Sequence, residues 1–301
     1  TDTMAKGLTY NVDMKVYVNG EEKTSAFTIA TAPCTDESGD YAGGTVITVT
    51  CDDITALIAE NENDAVIVLE YTAKLNSDAK LGAPGNPNKI KVTTKPDGSG
   101  ETPEDVNIVF TFKVETDKYT TVGGEKVALA GANFTLYKEV AKAETAGAKT
   151  GADIKVELAA KNPSIKAAAL KDNAYYVVAA EVEVDAAGDT FGFKGVDDGR
   201  YVLVETQIPA GYNAWDAKEF TITAAHDVNA DEPKLTSLSG GELFTGSVDT
   251  GILHTEVENK SGTVLPETGG IGTTIFYAVG AIMVLVAVVL LVTKKRMASA
   301  E

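Results

Sequence analysis

Residues 110–118 read FTFKVETDK and alternate between two kinds of side chain. Phe110, Phe112 and Val114 fall on one face of an extended chain, because successive side chains of a β-strand point to opposite sides. The residues between them are polar or charged. The same counting places Lys118 on the apolar face, so the stretch predicts a β-strand with a lysine directed into the core.

Two further stretches predict a polar side chain on an apolar face. In residues 201–205, YVLVE, Glu205 shares a face with the tyrosine and the leucine, although the two valines make the faces less distinct. In residues 253–259, LHTEVEN, Asn259 falls on the same side as the leucine and the valine. The pattern therefore predicts a buried lysine, a buried glutamic acid and a buried asparagine in one β domain.

The amine, the carboxyl group and the carboxamide could take part in one reaction. An isolated buried charge is costly, and burial lowers the pKa of a lysine and raises that of a carboxyl group. A neutral Lys118 is a nucleophile, and a neutral Glu205 is a proton donor. The amine could attack the Asn259 carboxamide and leave an intramolecular isopeptide bond with loss of ammonia. The alternatives are a buried ion pair beside a hydrogen-bonded asparagine, or a strand register that fails at its ends.

Short alternating runs broken by Gly, Asn, Asp and Pro continue up to the C-terminal region and predict an all-β chain with two tandem Ig-like β-sandwich domains. Residues 1–95 form the first domain, residues 96–105 (PDGSGETPED) a linker, and residues 106–262 the second domain. Residues 140–172 read as a surface insertion with a loop and a short helix. Another short helix is expected after the capping pair Asp52 and Asp53.

Residues 263–301 read as a cell-surface sorting signal. The pentapeptide LPETG comes first, then an apolar transmembrane span over residues 271–293, then a basic tail. A span of this length crosses ~30 Å of hydrocarbon, and the basic tail stays inside. This order predicts that residues 1–264 lie outside the cell, the alternative being a single-pass membrane protein that is never cleaved. The motif consists of Leu265, Pro266, Glu267, Thr268 and Gly269.

Composition excludes several other classes of protein. The 301 residues carry 26 Lys and Arg against 44 Asp and Glu, a net charge of −18, which disfavours nucleic-acid binding. Two histidines and two cysteines without metal-ligand spacing predict no metal centre and no cofactor. A weaker alternative is a Ca²⁺ ion held by acidic residues, which are Asp36, Asp40, Asp52 and Asp53.

Cys34 and Cys51 are the only cysteines, and they fall on the exported side, where disulfides persist. We expect a disulfide between them, the alternative being two separate buried thiols. No nucleophile, base and orienting group occur together, so a surface hydrolase on a β stalk is disfavoured and no enzyme with turnover is expected.

The second domain and the tail resemble a known family. Residues 201–213, YVLVETQIPAGYN, resemble the E-box of the CnaB-like (prealbumin-like) domains of Gram-positive pilins. Residues 129–137, LAGANFTLY, resemble the strand after the reactive lysine of those domains, and residues 257–270, VENKSGTVLPETGG, their last strand running into the wall-sorting motif. The resemblance implies that Lys118 is the amine and that Asn259 is the carboxamide.

It also implies that Glu205 is the catalytic acid of this self-modification. A sortase would cut between Thr268 and Gly269 and pass the Thr268 carbonyl to an amine. The acceptor would be a lysine of another pilin subunit or a peptidoglycan cross-bridge.

The first domain is similar to the pilin domain that precedes the CnaB-like one. The similarity lies in three stretches of sequence, which are TDTMAKGLTY, YTAKLN and GAPGNPN. In the family TDTM lies inside the domain, so we expect an N-terminally truncated chain that lacks earlier strands and the pilin-motif lysine. The family has YSNNP where this chain ends its strand with Thr94, Lys95 and Pro96. Without that asparagine, an isopeptide bond in the first domain is not expected.

These observations predict an extracellular, LPXTG-anchored major pilin, which is the structural subunit of a sortase-assembled surface pilus. Its partners would be sortase, other pilin subunits and the peptidoglycan cross-bridge, with a membrane contact only before cleavage. The rival interpretation is a wall-anchored adhesin or ancillary pilin that binds a host-matrix receptor.

Overall fold

The computed structural model describes residues 1–58, 65–94, 100–141, 146–227, 230 and 233–262. The LPETG motif, the predicted span over residues 271–293 and the basic tail lie outside these residues. Within the described ranges, no helix is both long and apolar enough to cross a membrane. Strands dominate these ranges, and the prediction of an all-β chain is confirmed.

Ten short strands make up the part of the described chain before residue 110. They form a five-stranded sheet in the order β10-β9-β1-β6-β5, a three-stranded sheet in the order β4-β3-β7, and the pair β2-β8. A small core joins them, with Met4, Val16 and Ile47 at its centre. The strands are β1 (Asp2–Met4), β2 (Leu8–Tyr10), β3 (Lys15–Val18), β4 (Glu21–Glu22), β5 (Thr28–Pro33), β6 (Thr45–Thr50), β7 (Ile67–Glu70), β8 (Ala73–Leu75), β9 (Asn86–Ile90) and β10 (Asp105–Val109).

Two local predictions in this region are confirmed. Asn19 and Gly20 have φ angles of 50° and 84°, and this left-handed pair is the turn that joins β3 to β4. Asp53 caps the short helix Ile54–Leu57 through its side chain, which accepts the N–H of Thr55. That helix is of the 3-10 type, as is a second one at Thr24–Ala26.

The predicted linker over residues 96–105 does not coincide with the division between sheets. Strand β10 pairs with β9, with Asp105 opposite Ile90, and so extends the N-terminal sheet past the predicted boundary at residue 106. Period-two alternation identified the strand over residues 110–118, but it did not show that the residues just before it pair with β9. The sheets of the second domain begin at Phe112.

Two six-stranded sheets face each other in the second domain. One has the order β16-β17-β11-β22-β21 with β12 on β11, and the other has the order β14-β15-β13-β18-β19-β20. The strands are β11 (Phe112–Val122), β12 (Glu125–Ala128), β13 (Asn133–Val140), β14 (Lys149–Thr150), β15 (Tyr175–Val178), β16 (Val182–Val184), β17 (Thr190–Val196), β18 (Gly199–Gln207), β19 (Lys218–His226), β20 (Leu235–Ser239), β21 (Thr245–Ser247) and β22 (Ile252–Glu258).

The predicted insertion contains an α-helix, α1 (Gly151–Lys161). Thr150 caps it by accepting the N–H of Asp153, and its apolar residues pack against the outer face of β18. There Ile154 and Leu158 lie in one cluster with Val202 and Val204. Strand β18 is therefore buried on both faces, which explains why its sequence shows no clean alternation.

The expected disulfide is wrong. Cys34 and Cys51 are both free thiols, and they flank opposite ends of the β5–β6 hairpin. Pro33 pairs with Thr45 at one end and Thr28 with Thr50 at the other, so the cysteines are about 20 Å apart. A disulfide needs Cα atoms within ~7 Å. Sequence separation alone could not give the register of this hairpin.

A small second unit of the chain includes residues 211–213 and, among the described C-terminal residues, 260–262. Tyr212 and Ser261 form an isolated antiparallel bridge within it.

Candidate functional site

Strand β11 carries Lys118 into the interior of the second domain. The lysine is 1% exposed, and its side chain lies on the face that β11 presents to the core. Its main chain is held on both sides, because its N–H donates to Asp189 O and its carbonyl accepts from Leu129 N. The predicted inward direction of Lys118 is confirmed.

Strand β22 brings Asn259 to this lysine. The strand runs parallel to β11 with Lys118 opposite Val257, so Asn259 lies just beyond the paired end. The Asn259 N–H donates to Tyr119 O at 3.0 Å, and its side chain is buried. Lys118 Nζ donates to Asn259 Oδ1 and, at 3.3 Å, to Val257 O. The amine and the carboxamide are therefore in direct contact.

Strand β18 of the facing sheet supplies Glu205, which is 1% exposed. Its Oε1 accepts from Asn259 Nδ2 at 2.7 Å and lies 3.7 Å from Lys118 Nζ. Its Oε2 accepts the backbone N–H of Trp215 at 2.7 Å. The three residues that strand counting placed inward thus meet in one buried cluster between the sheets.

Burial controls the protonation of the amine. Desolvation lowers the pKa of Lys118 to about 8, and the nearby Glu205 carboxylate opposes this fall. An ordinary lysine has a pKa near 10.4 and is almost wholly charged at neutral pH. The buried amine has a much larger neutral fraction, which is the form that attacks a carbonyl carbon.

Several contacts of the cluster were not predicted from the sequence. The Trp215 N–H on Glu205 and the Val257 carbonyl on Lys118 are main-chain groups, which no side-chain motif identifies. The indole of Trp215 packs edge-on against Phe134 with ring centroids 6.2 Å apart, and Phe134 packs against Phe191 at 5.0 Å. Phe134 lies opposite Glu205 in the pairing of β13 with β18, so this group of rings adjoins the buried carboxyl group.

The other sequence candidates do not join this cluster. The part of the chain that the structure describes contains no group of three acidic, histidine or cysteine side chains able to hold a metal ion, and this includes the acidic residues named above for Ca²⁺. His254 contacts Asp117 at 2.9 Å on the solvent face of the sheet. The sorting motif, from Leu265 to Gly269, lies outside the described residues.

A second buried polar cluster lies in the N-terminal sheet and was not predicted. Asp2 is 3% exposed, and its Oδ2 accepts from Tyr71 Oη at 2.9 Å and from Asn88 Nδ2 at 3.3 Å. Burial raises the pKa of Asp2, although both hydrogen bonds oppose the rise. The remaining side-chain oxygens of Asp2 and Asn88 are buried and accept no hydrogen bond. No described lysine hydrogen-bonds to this group, which distinguishes it from the first cluster.

Two family models match parts of the second domain and the tail. Residues 112–234 match the prealbumin-like fold domain, and residues 257–299 match the LPXTG cell wall anchor motif. Both fall where the sequence resemblance located them, so the predicted prealbumin-like domain and the predicted wall anchor are confirmed. The anchor motif assigns the chain to the cell surface. Neither matched family is an enzyme family.

Streptococcal backbone pilins are among the solved structures that match this chain. The T6 backbone pilin of serotype M6 Streptococcus pyogenes is 17% identical, with 87% of this chain and 60% of that chain covered and a TM-score of 0.48. The group B streptococcus pilus 2b backbone protein is 20% identical, with 88% and 86% covered and a TM-score of 0.47. The full-length major pilin RrgB from Streptococcus pneumoniae is 14% identical, with 87% and 66% covered and a TM-score of 0.44. None of the curated protein sequences compared with this chain matches it.

Proposed function

We propose that this chain is a structural subunit of a sortase-assembled surface pilus, and that an isopeptide bond between Lys118 and Asn259 locks its second domain. The observation that carries the proposal is the fully buried contact of an amine, a carboxamide and a carboxyl group. A buried charge pair alone is weak evidence for a stabilising role, because desolvation offsets the attraction. The site is better suited to a reaction in which the amine and the carboxyl group become neutral.

The reaction begins with a proton transfer from the Lys118 ammonium to the Glu205 carboxylate, whose atoms are 3.7 Å apart. Both groups become neutral, which the buried site favours. A half-turn of the Asn259 carboxamide exchanges its oxygen and nitrogen, so that the carbonyl oxygen meets the Glu205 proton at the distance of 2.7 Å. The acid then polarises the carbonyl group.

The Nζ–Cγ bond forms as the neutral amine attacks the Asn259 carbonyl carbon. Glu205 protonates the developing oxyanion, takes a proton from the attacking nitrogen and delivers it to the amide nitrogen. The Cγ–Nδ2 bond breaks, and ammonia leaves. One amide replaces another, so no oxidant, metal ion or cofactor is consumed. As the Cγ–Nδ2 bond breaks, the hydroxyl formed from the carbonyl returns its proton to Glu205. The proton first taken from the Lys118 ammonium leaves with ammonia as ammonium, so Glu205 ends as the carboxylate with which it began.

The location of the bond suits a protein under tension. Strands β11 and β22 are the first and last of the second domain, and they lie side by side in parallel. A covalent link there joins the point where force enters the domain to the point where it leaves. The chain between the two residues, which are 141 positions apart, would then be shielded from the load.

Sortase processing would make the link between subunits. Within the matched LPXTG anchor, the scissile bond would lie between Thr268 and Gly269. The Thr268 carbonyl would pass to a lysine of another subunit or to a peptidoglycan cross-bridge. The chain would contact the membrane only before this step.

Mass spectrometry of the folded protein tests the internal bond. Residues 1–262 should be lighter than their sequence by one ammonia, and a protease digest should contain a branched peptide that joins Lys118 to Asn259. Lys118→Met and Asn259→Ala should have the unshifted mass, whereas the control Glu183→Gln should still lose ammonia, because Glu183 lies in an exposed ion pair. A wild-type protein that is folded and has the full sequence mass would refute the proposal.

A further inference from the structure

The two oxygens of the Glu205 carboxyl group have different partners. Oε1 faces the reacting groups, with Asn259 Nδ2 at 2.7 Å and Lys118 Nζ at 3.7 Å. Oε2 faces away from them and accepts the backbone N–H of Trp215 at 2.7 Å. One oxygen of the carboxyl group therefore faces the lysine and the asparagine, and the other is fixed by a main-chain donor.

This asymmetry decides which oxygen carries the proton. A neutral carboxyl group has one carbonyl oxygen, which accepts hydrogen bonds well, and one hydroxyl oxygen, which donates. An N–H pointing at Oε2 favours the carbonyl form of that atom, so the proton lies on Oε1, where the carboxamide is. Without the N–H, the proton could reside on either oxygen, and Oε2 would be a buried acceptor with no partner.

The segment that carries this N–H is fixed from two directions. The Trp215 indole packs edge-on against Phe134. Two residues later, Ala217 N donates to Lys166 O at 3.0 Å, and Asp216 forms a bridge with Lys166. Because the chain is held on both sides of it, the Trp215 N–H keeps its direction while the carboxyl group gains or loses a proton. A fixed direction of this kind is what a preorganised catalytic dipole requires.

We propose that Trp215 is a positioning residue for isopeptide formation, whose backbone N–H orients Glu205 and selects Oε1 as its proton-bearing oxygen. The proposal rests on the function proposed above. The indole acts by anchoring the segment, and the N–H acts on the carboxyl group. Removal of the two should therefore have different effects.

The test removes the N–H, either together with the indole or alone, and compares both variants with one that keeps an N–H and an aromatic ring. Trp215→Pro removes the donor, and replacement of Trp215 by its α-hydroxy analogue in a cell-free synthesis turns the amide into an ester with the indole intact. Trp215→Phe is the matched control, since it keeps both the N–H and an aromatic contact with Phe134. Each full chain is collected in denaturant and refolded by dilution at a series of pH values, and its loss of ammonia is followed by intact mass.

Both variants without the donor should react about 10- to 100-fold more slowly, the range expected for one hydrogen bond to a charged group. The pH dependence of their rate should also differ from that of the wild type, because the lost N–H bonded the carboxyl group that lies beside Lys118. Trp215→Phe should keep the pH profile of the wild type. A purely structural role would reduce the folded fraction without changing the pH profile.

The outcomes separate this proposal from the one on which it rests. If the wild type never loses ammonia, the isopeptide function itself is refuted. If the wild type reacts and the ester variant matches it in both rate and pH profile, the positioning role of Trp215 is refuted and the isopeptide function stands. If Trp215→Pro does not fold, the rate and pH profile of the ester variant test the positioning role, because the ester keeps the indole and the course of the main chain.

Discussion

The substitution Glu205→Gln separates the chemistry of the second domain from its packing. Glutamine has the size of glutamic acid, can accept the Trp215 N–H and can bond to the Asn259 amide, but it carries no transferable acidic proton. We expect Glu205→Gln to fold and to retain the full sequence mass. The lysine and the asparagine would remain in contact without forming the bond.

The stability that the bond contributes follows from the loop it closes. The proposed link would join residues that are 141 positions apart. If the loop-entropy relation for disulfides applies to an amide link, the loss of freedom in the unfolded chain is worth ~5 kcal/mol. For a domain of this size, a change of that magnitude corresponds to a shift of about 10–20 °C in melting temperature. Glu205→Gln should therefore melt that far below the wild type.

Calorimetry and intact mass on the same samples provide the assay. Lys118→Met, which also cannot form the bond, should melt well below the wild type as well, whereas Glu183→Gln should match the wild type in mass and melting temperature. The reasoning fails if Glu205→Gln loses ammonia as fully as the wild type. It also fails if the unlinked variant melts at the wild-type temperature, since the link would then contribute nothing to stability.

Three further predictions concern other parts of the chain. Chains released from the cell wall should end at Thr268, and peptides from the apolar span in the released material would contradict sortase processing. Burial raises the pKa of Asp2, so the stability that the buried acid contributes is complete below the unfolded pKa of ~3.9 and is lost as pH rises through the higher folded value. Asp2→Asn should remove this pH dependence of the free energy of unfolding, which urea titrations at several pH values measure. The same pH dependence in both proteins would show that Asp2 ionises normally. Thiol titration of the denatured protein without reductant should find both Cys34 and Cys51 free, and a mass lower by two hydrogens would contradict the hairpin register.

Much of the fold and of the site could be predicted because it depends on local pattern. Alternation of apolar and polar residues identified β11 and the inward direction of Lys118, since side-chain direction in a strand follows from sequence parity alone. The Asn19-Gly20 turn follows from the backbone freedom of those two residues. The prealbumin-like domain and the LPXTG anchor were identified from short contiguous sequence motifs. None of these inferences required knowledge of a distant contact.

Tertiary structure alone decided which strands meet and in what register. It placed β10 in the N-terminal sheet, set the two cysteines at opposite ends of a hairpin, and buried β18 on both faces by covering it with α1. It also brought Glu205 from one sheet to within 2.7 Å of Asn259 in the other, and it directed the Trp215 N–H at the far side of that carboxyl group. Strand pairing joins residues that are far apart in the chain, and main-chain donors have the same chemistry at every non-proline position. The sequence by itself therefore determined which polar groups are buried, whereas the packing of the two sheets determined the distances between them.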